Sequence, residues 1–367
     1  MAGIIDADTH IAEPREMWNF LDPEWYPRRP VVVEVPGDTL YQNSNHMWLI
    51  DGNIYPRAAG KGGMLLVTPT SQARNQDLPD AKSRELIDLD RRFRDMERIG
   101  TDSQVVYPTL FLTFLTNDEQ LEVALCKAYN RFLADVCNTC PDRLKWVVVP
   151  PLRHIDATIQ EMKLGKAHGA VGVFFRGIEK DRTLDDPYFF PVYEEAQALN
   201  LSLCIHQGSG SPALNMLVDV QRSHTFTHGR LPPLVAFRNL VANKIPELFP
   251  GVRWGFIETG ASWIPFVLHQ LKGVRRESPD FWGPKLFDQY NMWISYEVAE
   301  DLPYLVKYIG EDHIITGSDY GHHSREGMAG DPSAQLHMVT ELRAHEGYPS
   351  RLVDKLLSDN PKAFYGL

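Results

Sequence analysis

Eight short β-branched runs, each ending in polar or glycine-rich residues and followed by a stretch of helical character, constrain this chain more than any other feature. In order they are IIDAD (4–8), SQVVYP (103–108), LKWVVVP (144–150), AVGVFF (170–175), LSLCIH (201–206), VRWGFIE (252–258), MWISYE (292–297) and HIITGSD (313–319). Between them DLDRRFRDMERIG, EQLEVALCKAYNRFLADVC, PVYEEAQALN and AEDLPYLVKYIG read as helices. Continuous apolar strands are buried on both faces, so the alternation predicts a parallel sheet covered by helices. Eight such units predict a closed (β/α)8 TIM barrel. The rival, a doubly wound open sheet, would place a Gly-x-Gly-x-x-Gly turn after the first strand, and here that strand runs into THIAEP.

One barrel accounts for all 367 residues if it carries an insertion. The insertion is expected after the first strand, at approximately residues 20–85, where Pro, Gly, Asn and Arg are frequent and no periodicity holds. Loops at that end of a barrel cover the active site, so WNFLDPEWYPRRP and the segment from Tyr41 to Arg57 are candidate lid or substrate contacts. Hydrophobic residues at 43% and charged residues at 23% supply a large core. A net charge of −11 argues against a protein that neutralises nucleic-acid phosphates or an anionic membrane. No apolar run approaches the roughly 20 residues of a membrane-spanning helix, and MAGIIDADTH has no basic or apolar leader segment. A cytoplasmic protein acting on a small molecule is expected. Cys137 and Cys140 form a lone Cys-x-x-Cys without a second pair to complete a zinc knuckle, so they read as reduced structural thiols.

Catalytic groups of such a barrel come from the C-terminal ends of its strands, which converge on an open mouth. The run ends offer Asp8 and His10, then Tyr107, His206, Glu258, Glu297 and Asp319. Asp8 and His10 are two apart, so on an extended strand their side chains point the same way. Each residue taken singly reads equally well as a hydrogen-bonded part of the mouth. Together, imidazoles and carboxylates at three strand ends point to a divalent ion held by Asp8, His10, His206 and Asp319, with zinc preferred and manganese or iron as alternatives. Glu258 is a candidate catalytic group: it can bridge to a second ion, take a proton from bound water or bind a polar group of the substrate, unless it pairs with Arg176 or Arg253. His224 and His228 lie four apart and share a face if their segment is helical. His228 is the candidate general acid and His224 a candidate substrate contact, against a surface or packing role for both. Arg176, at the end of the fourth run, has a planar fork shaped for a substrate carboxylate. Trp263, with Phe111, Phe174 and Phe175, is placed to wall an aromatic substrate, although core packing is the commoner role of such residues. His322 and His323 follow Asp319 and are candidates to orient a ligand.

The segments DADTHIAEP, CIHQGSG, FPGVRWGFIETGASWIPFVL, ITGSDYGHH and LSDNPKAFYGL resemble the amidohydrolase-related branch that includes aminocarboxymuconate-semialdehyde decarboxylase and resorcylate decarboxylase. The resemblance runs from the first strand to the C-terminus and implies that Asp8, His10, His206 and Asp319 occupy the family's ligand positions. It also marks a departure. Several decarboxylases of the branch carry a His-Gly-Gly turn with a catalytic histidine on strand six, where this chain reads Glu258-Thr259-Gly260. Two-metal members place a carboxylated lysine or a glutamate on strand four, where this chain has Phe174, Phe175 and Arg176, which implies one ion per chain. The expected reaction is hydrolysis: the ion lowers the pKa of its water, Asp319 accepts the proton, and the hydroxide attacks an ester, amide or thioester carbonyl. The alternative is metal-dependent decarboxylation of an aromatic or unsaturated acid, which needs a proton donor. A metal-free binding barrel is the reading from a different class. By analogy with other barrels, a homodimer is expected.

Overall fold

The computed structural model describes residues 3–40, 46–57, 59–63, 81–219, 226, 229–322 and 335–367. Its central sheet has eight parallel strands: β1 (Ile5–His10), β2 (Ser103–Tyr107), β3 (Leu144–Val148), β4 (Ala170–Phe175), β5 (Ser202–His206), β6 (Trp254–Ile257), β7 (Met292–Ser295) and β8 (Ile314–Ile315). Neighbours in space are neighbours in sequence throughout. The seam between β8 and β1 is closed by a parallel bridge of Thr9 with Tyr320 and by backbone bonds from Asp319 N to Asp8 O (3.0 Å) and His10 N to Tyr320 O (2.6 Å). The architecture is the (β/α)8 TIM barrel that the eight runs predict.

Each strand lies inside its predicted run or within two residues of it, except at the end of β8. The run 313–319 reads as one strand, yet only two residues keep the ladder. Gly317 explains the difference. A Cβ on it would sit 2.4 Å from Asp8 Cβ and 2.6 Å from Asp8 N, far closer than the normal strand spacing allows. The chain leaves the ladder there, presses against β1 and carries Asp319 to the mouth.

Side-chain caps start several of the helices that return between strands. Asp88 accepts from Arg91 N (2.9 Å) ahead of Leu89–Ile99, and Asp118 accepts from Gln120 N (3.0 Å) ahead of Glu119–Asn138. These caps satisfy amides that have no partner inside the helix. Phe174 joins the barrel interior with Tyr107, Cys204 and Ile257, whereas Phe175 turns outward to the helices and meets Tyr193. Both are core, and so is the buried Phe111.

The C-terminal helix Asn360–Tyr365 seals the N-terminal end of the barrel. Arg253 Nε donates to Phe364 O (2.6 Å), and Tyr365 Oη donates to Ala7 O (2.6 Å). That leaves Tyr107 to donate to Tyr365 Oη (2.7 Å). Chemistry is therefore left to the opposite end.

Within the inserted region, Val31–Glu34, His46–Ile50 and Asn53–Tyr55 form an antiparallel sheet that the sequence reading did not anticipate. The strands have three to five residues, too short for a period to register. Trp18 of the candidate lid segment is buried edge-on against Trp48 (5.9 Å), so it packs rather than contacting a substrate. Tyr41 lies outside the described residues. Among the described residues no helix is long and apolar enough to cross a membrane.

Candidate metal centre

Asp8, His10, His206, Glu258 and Asp319 meet at the C-terminal mouth, all buried. His10 Nε2 lies 3.5 Å from Asp8 Oδ1, 3.6 Å from Glu258 Oε2 and 3.3 Å from Asp319 Oδ1. His206 Nε2 lies 3.5 Å from Asp8 Oδ1 and 3.2 Å from Glu258 Oε2. The four atoms of Asp8, His10, His206 and Glu258 are all within 4.8 Å of one another, and a second set of four comprises His10, Glu258, Asp319 and His322.

The tautomers show what these distances mean. His10 Nδ1 is 2.9 Å from Pro108 O, and His206 Nδ1 is 2.8 Å from Gln207 O. A carbonyl only accepts, so each Nδ1 carries a hydrogen, and in the neutral tautomer that this fixes Nε2 turns a lone pair toward the carboxylates. Burial, reinforced by His322, holds the His10 imidazole well below its ordinary pKa, which favours that neutral form. Asp8 Oδ1, His10 Nε2 and His206 Nε2 have no hydrogen-bond partner among the described residues. Lone pairs facing lone pairs in a buried space repel unless a cation lies between them. Ligands at about 2.1 Å around one divalent ion stand roughly 3.0–3.4 Å apart, from octahedral to tetrahedral geometry, and the spacings above lie close to that range. The residues present therefore suit a divalent ion.

Two of these residues are held in strained backbone. Glu258 and Asp319 each have φ of 53°, a left-handed conformation that costs a non-glycine residue on the order of 1 kcal/mol or more. Hydrogen bonds around each turn hold it. After Glu258, Thr259 N donates to Ser295 Oγ (3.1 Å), while the Glu300 carboxylate accepts from Ala261 N (2.9 Å), Ser262 N (2.7 Å) and Glu297 N (3.0 Å). Gln207 donates to Glu258 Oε1. Before Asp319, Ser318 donates through N (2.7 Å) and Oγ (2.6 Å) to buried Asp6. Arg92, fully buried, donates to Gln104 Oε1 (2.7 Å), His10 O (3.1 Å) and Thr9 Oγ1 (3.0 Å), and its guanidinium lies 4.3 Å from the Tyr320 ring centroid. It thereby ties β1 to β2 and to the residue after Asp319.

Of the four sequence-derived ligand candidates, Asp8, His10 and His206 share one set with Glu258, and Asp319 belongs to the other with His10, Glu258 and His322. His322 stacks on His10 (3.6 Å between centroids), with Nδ1 3.1 Å from Asp319 Oδ1 and Nε2 2.7 Å from Thr109 Oγ1. His224, His228 and His323 lie outside the described residues.

Two expectations need correction. Arg176 does not offer its fork to a substrate: Nε bonds Glu179 Oε2 (3.0 Å), Nη2 bonds the same oxygen (2.5 Å), and Nη1 bonds Thr113 O (3.2 Å). The hairpin of Ile178–Glu179 with Arg182–Thr183 brings that glutamate back. Trp263 does not wall the mouth; its Nε1 donates to Gly260 O (2.8 Å) and its ring packs against Phe237 (5.3 Å) in the helix layer. Neither arginine considered as a partner of Glu258 takes that part, since Arg253 binds Phe364 O at the far end of the barrel.

The sequence reading did not single out Asp6, Glu13 or Arg92. Asp6 shares the two-residue period of Asp8 and His10, but β1 shifts register between Asp6 and Thr9, and Asp6 turns to Ser318 instead. Glu13 accepts from Thr109 N (2.8 Å) and Leu110 N (3.0 Å), and burial pushes its carboxyl up to about 7. A buried acid within DADTHIAEP was the only available hint of it.

A sequence profile described as amidohydrolase matches residues 5–367. The 2-amino-3-carboxymuconate-6-semialdehyde decarboxylase of Dictyostelium discoideum is 24% identical over 298 residues, spanning 76% of this chain and 77% of that protein. An amidohydrolase from Mycobacterium avium subsp. paratuberculosis K-10 superposes with a TM-score of 0.75 at 18% identity, over 100% of this chain and 98% of its own. A 5-carboxyvanillate decarboxylase from Novosphingobium aromaticivorans with bound manganese superposes with a TM-score of 0.63 at 18% identity, over 80% of this chain and 86% of its own.

Proposed function

Because the chain belongs to the amidohydrolase family, we propose that it is a metal-dependent decarboxylase of a small aromatic or unsaturated carboxylic acid. The observation that carries this choice is the likeness, over three quarters of the chain, to a named decarboxylase. Hydrolysis, the reaction first expected, drew its support from Glu258 alone.

Asp8, His10, His206 and Asp319 would hold one divalent ion. Bound there, the ion would fix a substrate oxygen and spread the charge left as CO2 departs. The chain's own residues set the conditions. The Nδ1 hydrogens of both imidazoles are committed to carbonyls, which leaves each Nε2 as the ring atom that would meet the ion. Burial of all five mouth residues keeps water from competing for the ion and strengthens every charge interaction inside. The carbon that loses CO2 must gain a proton, and His228, on the segment after β5, is the donor we assign, with His224 as a substrate contact. Since Arg176 is occupied by Glu179, the substrate carboxylate is assigned to the ion rather than to that arginine.

The test is a substrate panel run on metal-loaded protein. Release of CO2 from hydroxylated or methoxylated aromatic carboxylates, or from an aminocarboxymuconate semialdehyde, is the expected result. Turnover of esters, amides or thioesters with no CO2 from any acid would restore the hydrolase reading. Protein that holds no metal and cannot be reconstituted would point to a binding barrel.

A further inference from the structure

We propose that Glu258 is itself a ligand of the cation, making the shell Asp8, His10, His206, Glu258 and Asp319, an oxygen-rich set suited to a six-coordinate ion of the manganese class. This rests on the reading of the mouth as a metal centre and adds which residue completes it and which metal it prefers.

Position is the first ground. Glu258 Oε2 stands 3.2 Å and 3.6 Å from the two imidazole Nε2 atoms, and Asp8 Oδ1 stands 3.5 Å from both. The two carboxylate oxygens are therefore placed alike with respect to the imidazoles, and an ion in contact with both rings and Asp8 lies within reach of Glu258. The two sets of four close donor atoms also share only His10 and Glu258. Glu258 thus links the Asp8 side of the mouth to the Asp319 side.

Aim is the second ground. The hydrogen bond from Gln207 takes Oε1, which leaves Oε2 as the oxygen turned to the imidazoles. The left-handed φ of 53° is the same value that Asp319 adopts four residues beyond the end of its own strand. Both turns lie past a strand's end, and strain of that kind persists only where neighbours enforce it, as Ser295 and Glu300 do for Glu258.

Chemistry is the third ground. Three carboxylates and two imidazoles would leave a six-coordinate ion one position for a substrate oxygen. Oxygen donors in that number favour manganese-like ions over tetrahedral zinc. Three anionic ligands also reduce the ion's power to acidify water, so such a centre is better suited to holding a substrate oxygen than to generating hydroxide.

The test uses full-length protein stripped by a chelator and titrated with Mn2+, followed by calorimetry and by the Mn2+ electron paramagnetic resonance spectrum. Glu258→Gln keeps the size and the acceptor for Gln207 while removing the charge. It is expected to weaken Mn2+ binding by at least about tenfold, to change the spectrum, and to weaken Zn2+ binding less. Glu258→Asp keeps the charge but withdraws the oxygen, and it is expected to weaken Mn2+ binding as well. Circular-dichroism melting checks that each variant is folded. Wild-type Mn2+ affinity and spectrum in folded Glu258→Gln would overturn the inference while leaving the metal centre intact. Wild-type protein that takes up no divalent ion would overturn the centre itself.

Discussion

Gly317→Ala should damage the metal centre without touching any of its donor atoms. The new Cβ would lie 2.4 Å from Asp8 Cβ, 2.6 Å from its N and 2.8 Å from its Cα. Carbon contacts become favourable only at about 3.5 Å, so β1 and the segment after β8 must separate by roughly 1 Å. Two of the three atoms are backbone, so a rotamer change cannot relieve the clash. Overpacking of this kind costs about 1–3 kcal/mol. Metal sites tolerate only about 0.2 Å in ligand distance, so displacing Asp8 on that scale should cost roughly 10- to 100-fold in metal affinity. Urea unfolding of the chelated protein measures the first effect and Mn2+ titration the second. Gly273→Ala is the control: nothing lies within 4 Å of a Cβ there, and the residue sits in the helix Ile264–Val274. It should stabilise by up to about 1 kcal/mol. If Gly317→Ala matches wild type in both stability and affinity, the close approach described for β1 and β8 is wrong.

His206→Ala should remove nearly all activity together with bound metal, as elemental analysis would show, whereas Asp319→Asn should remove activity while retaining part of the metal. Arg92→Met leaves the acceptors Gln104 Oε1, His10 O and Thr9 Oγ1 buried without their donor, so a loss of about 3 kcal/mol or more is expected in urea unfolding, and a loss under about 1 kcal/mol would contradict its role in the seam. Glu13→Gln should flatten the pH dependence of stability. Burial raises the native carboxyl from 4.5 to about 7, so between those pH values the native state keeps a proton that the unfolded chain has released, and wild-type stability falls as pH rises through that window. The variant lacks this slope, and its stability relative to wild type should improve by roughly 3 kcal/mol between pH 4.5 and pH 8. Parallel pH profiles for the two proteins would contradict it.

Strand positions and two of the candidate ligands were legible for the same reason. Most strands buried on both faces are apolar nearly to their ends, so the first acidic or imidazole residue at or beyond the end, as at His206 in LSLCIH and Asp319 in HIITGSD, marks the mouth. What could not be read depends on backbone turns or on pairings across the chain. The left-handed turn at Glu258 puts its carboxylate among the imidazoles, yet a glutamate carries no local signal for positive φ. Arg176 and Glu179 are only three apart, and it took a two-residue hairpin to join them. The direction of Trp263 follows from a helix start at Ile264, and the register shift in β1 alone separates Asp6 from Asp8. In the insertion, short strands such as Asn53–Tyr55 are specified by burial of Trp48 against Trp18, a contact between segments thirty residues apart.

Diffraction from crystals of the Mn2+-loaded protein, collected at the manganese absorption edge, addresses the central claim most directly. One anomalous peak per chain is predicted, within about 2.0–2.4 Å of donor atoms from Asp8, His10, His206 and Asp319. A mouth without a peak, with the ion bound elsewhere on the chain, would contradict the account.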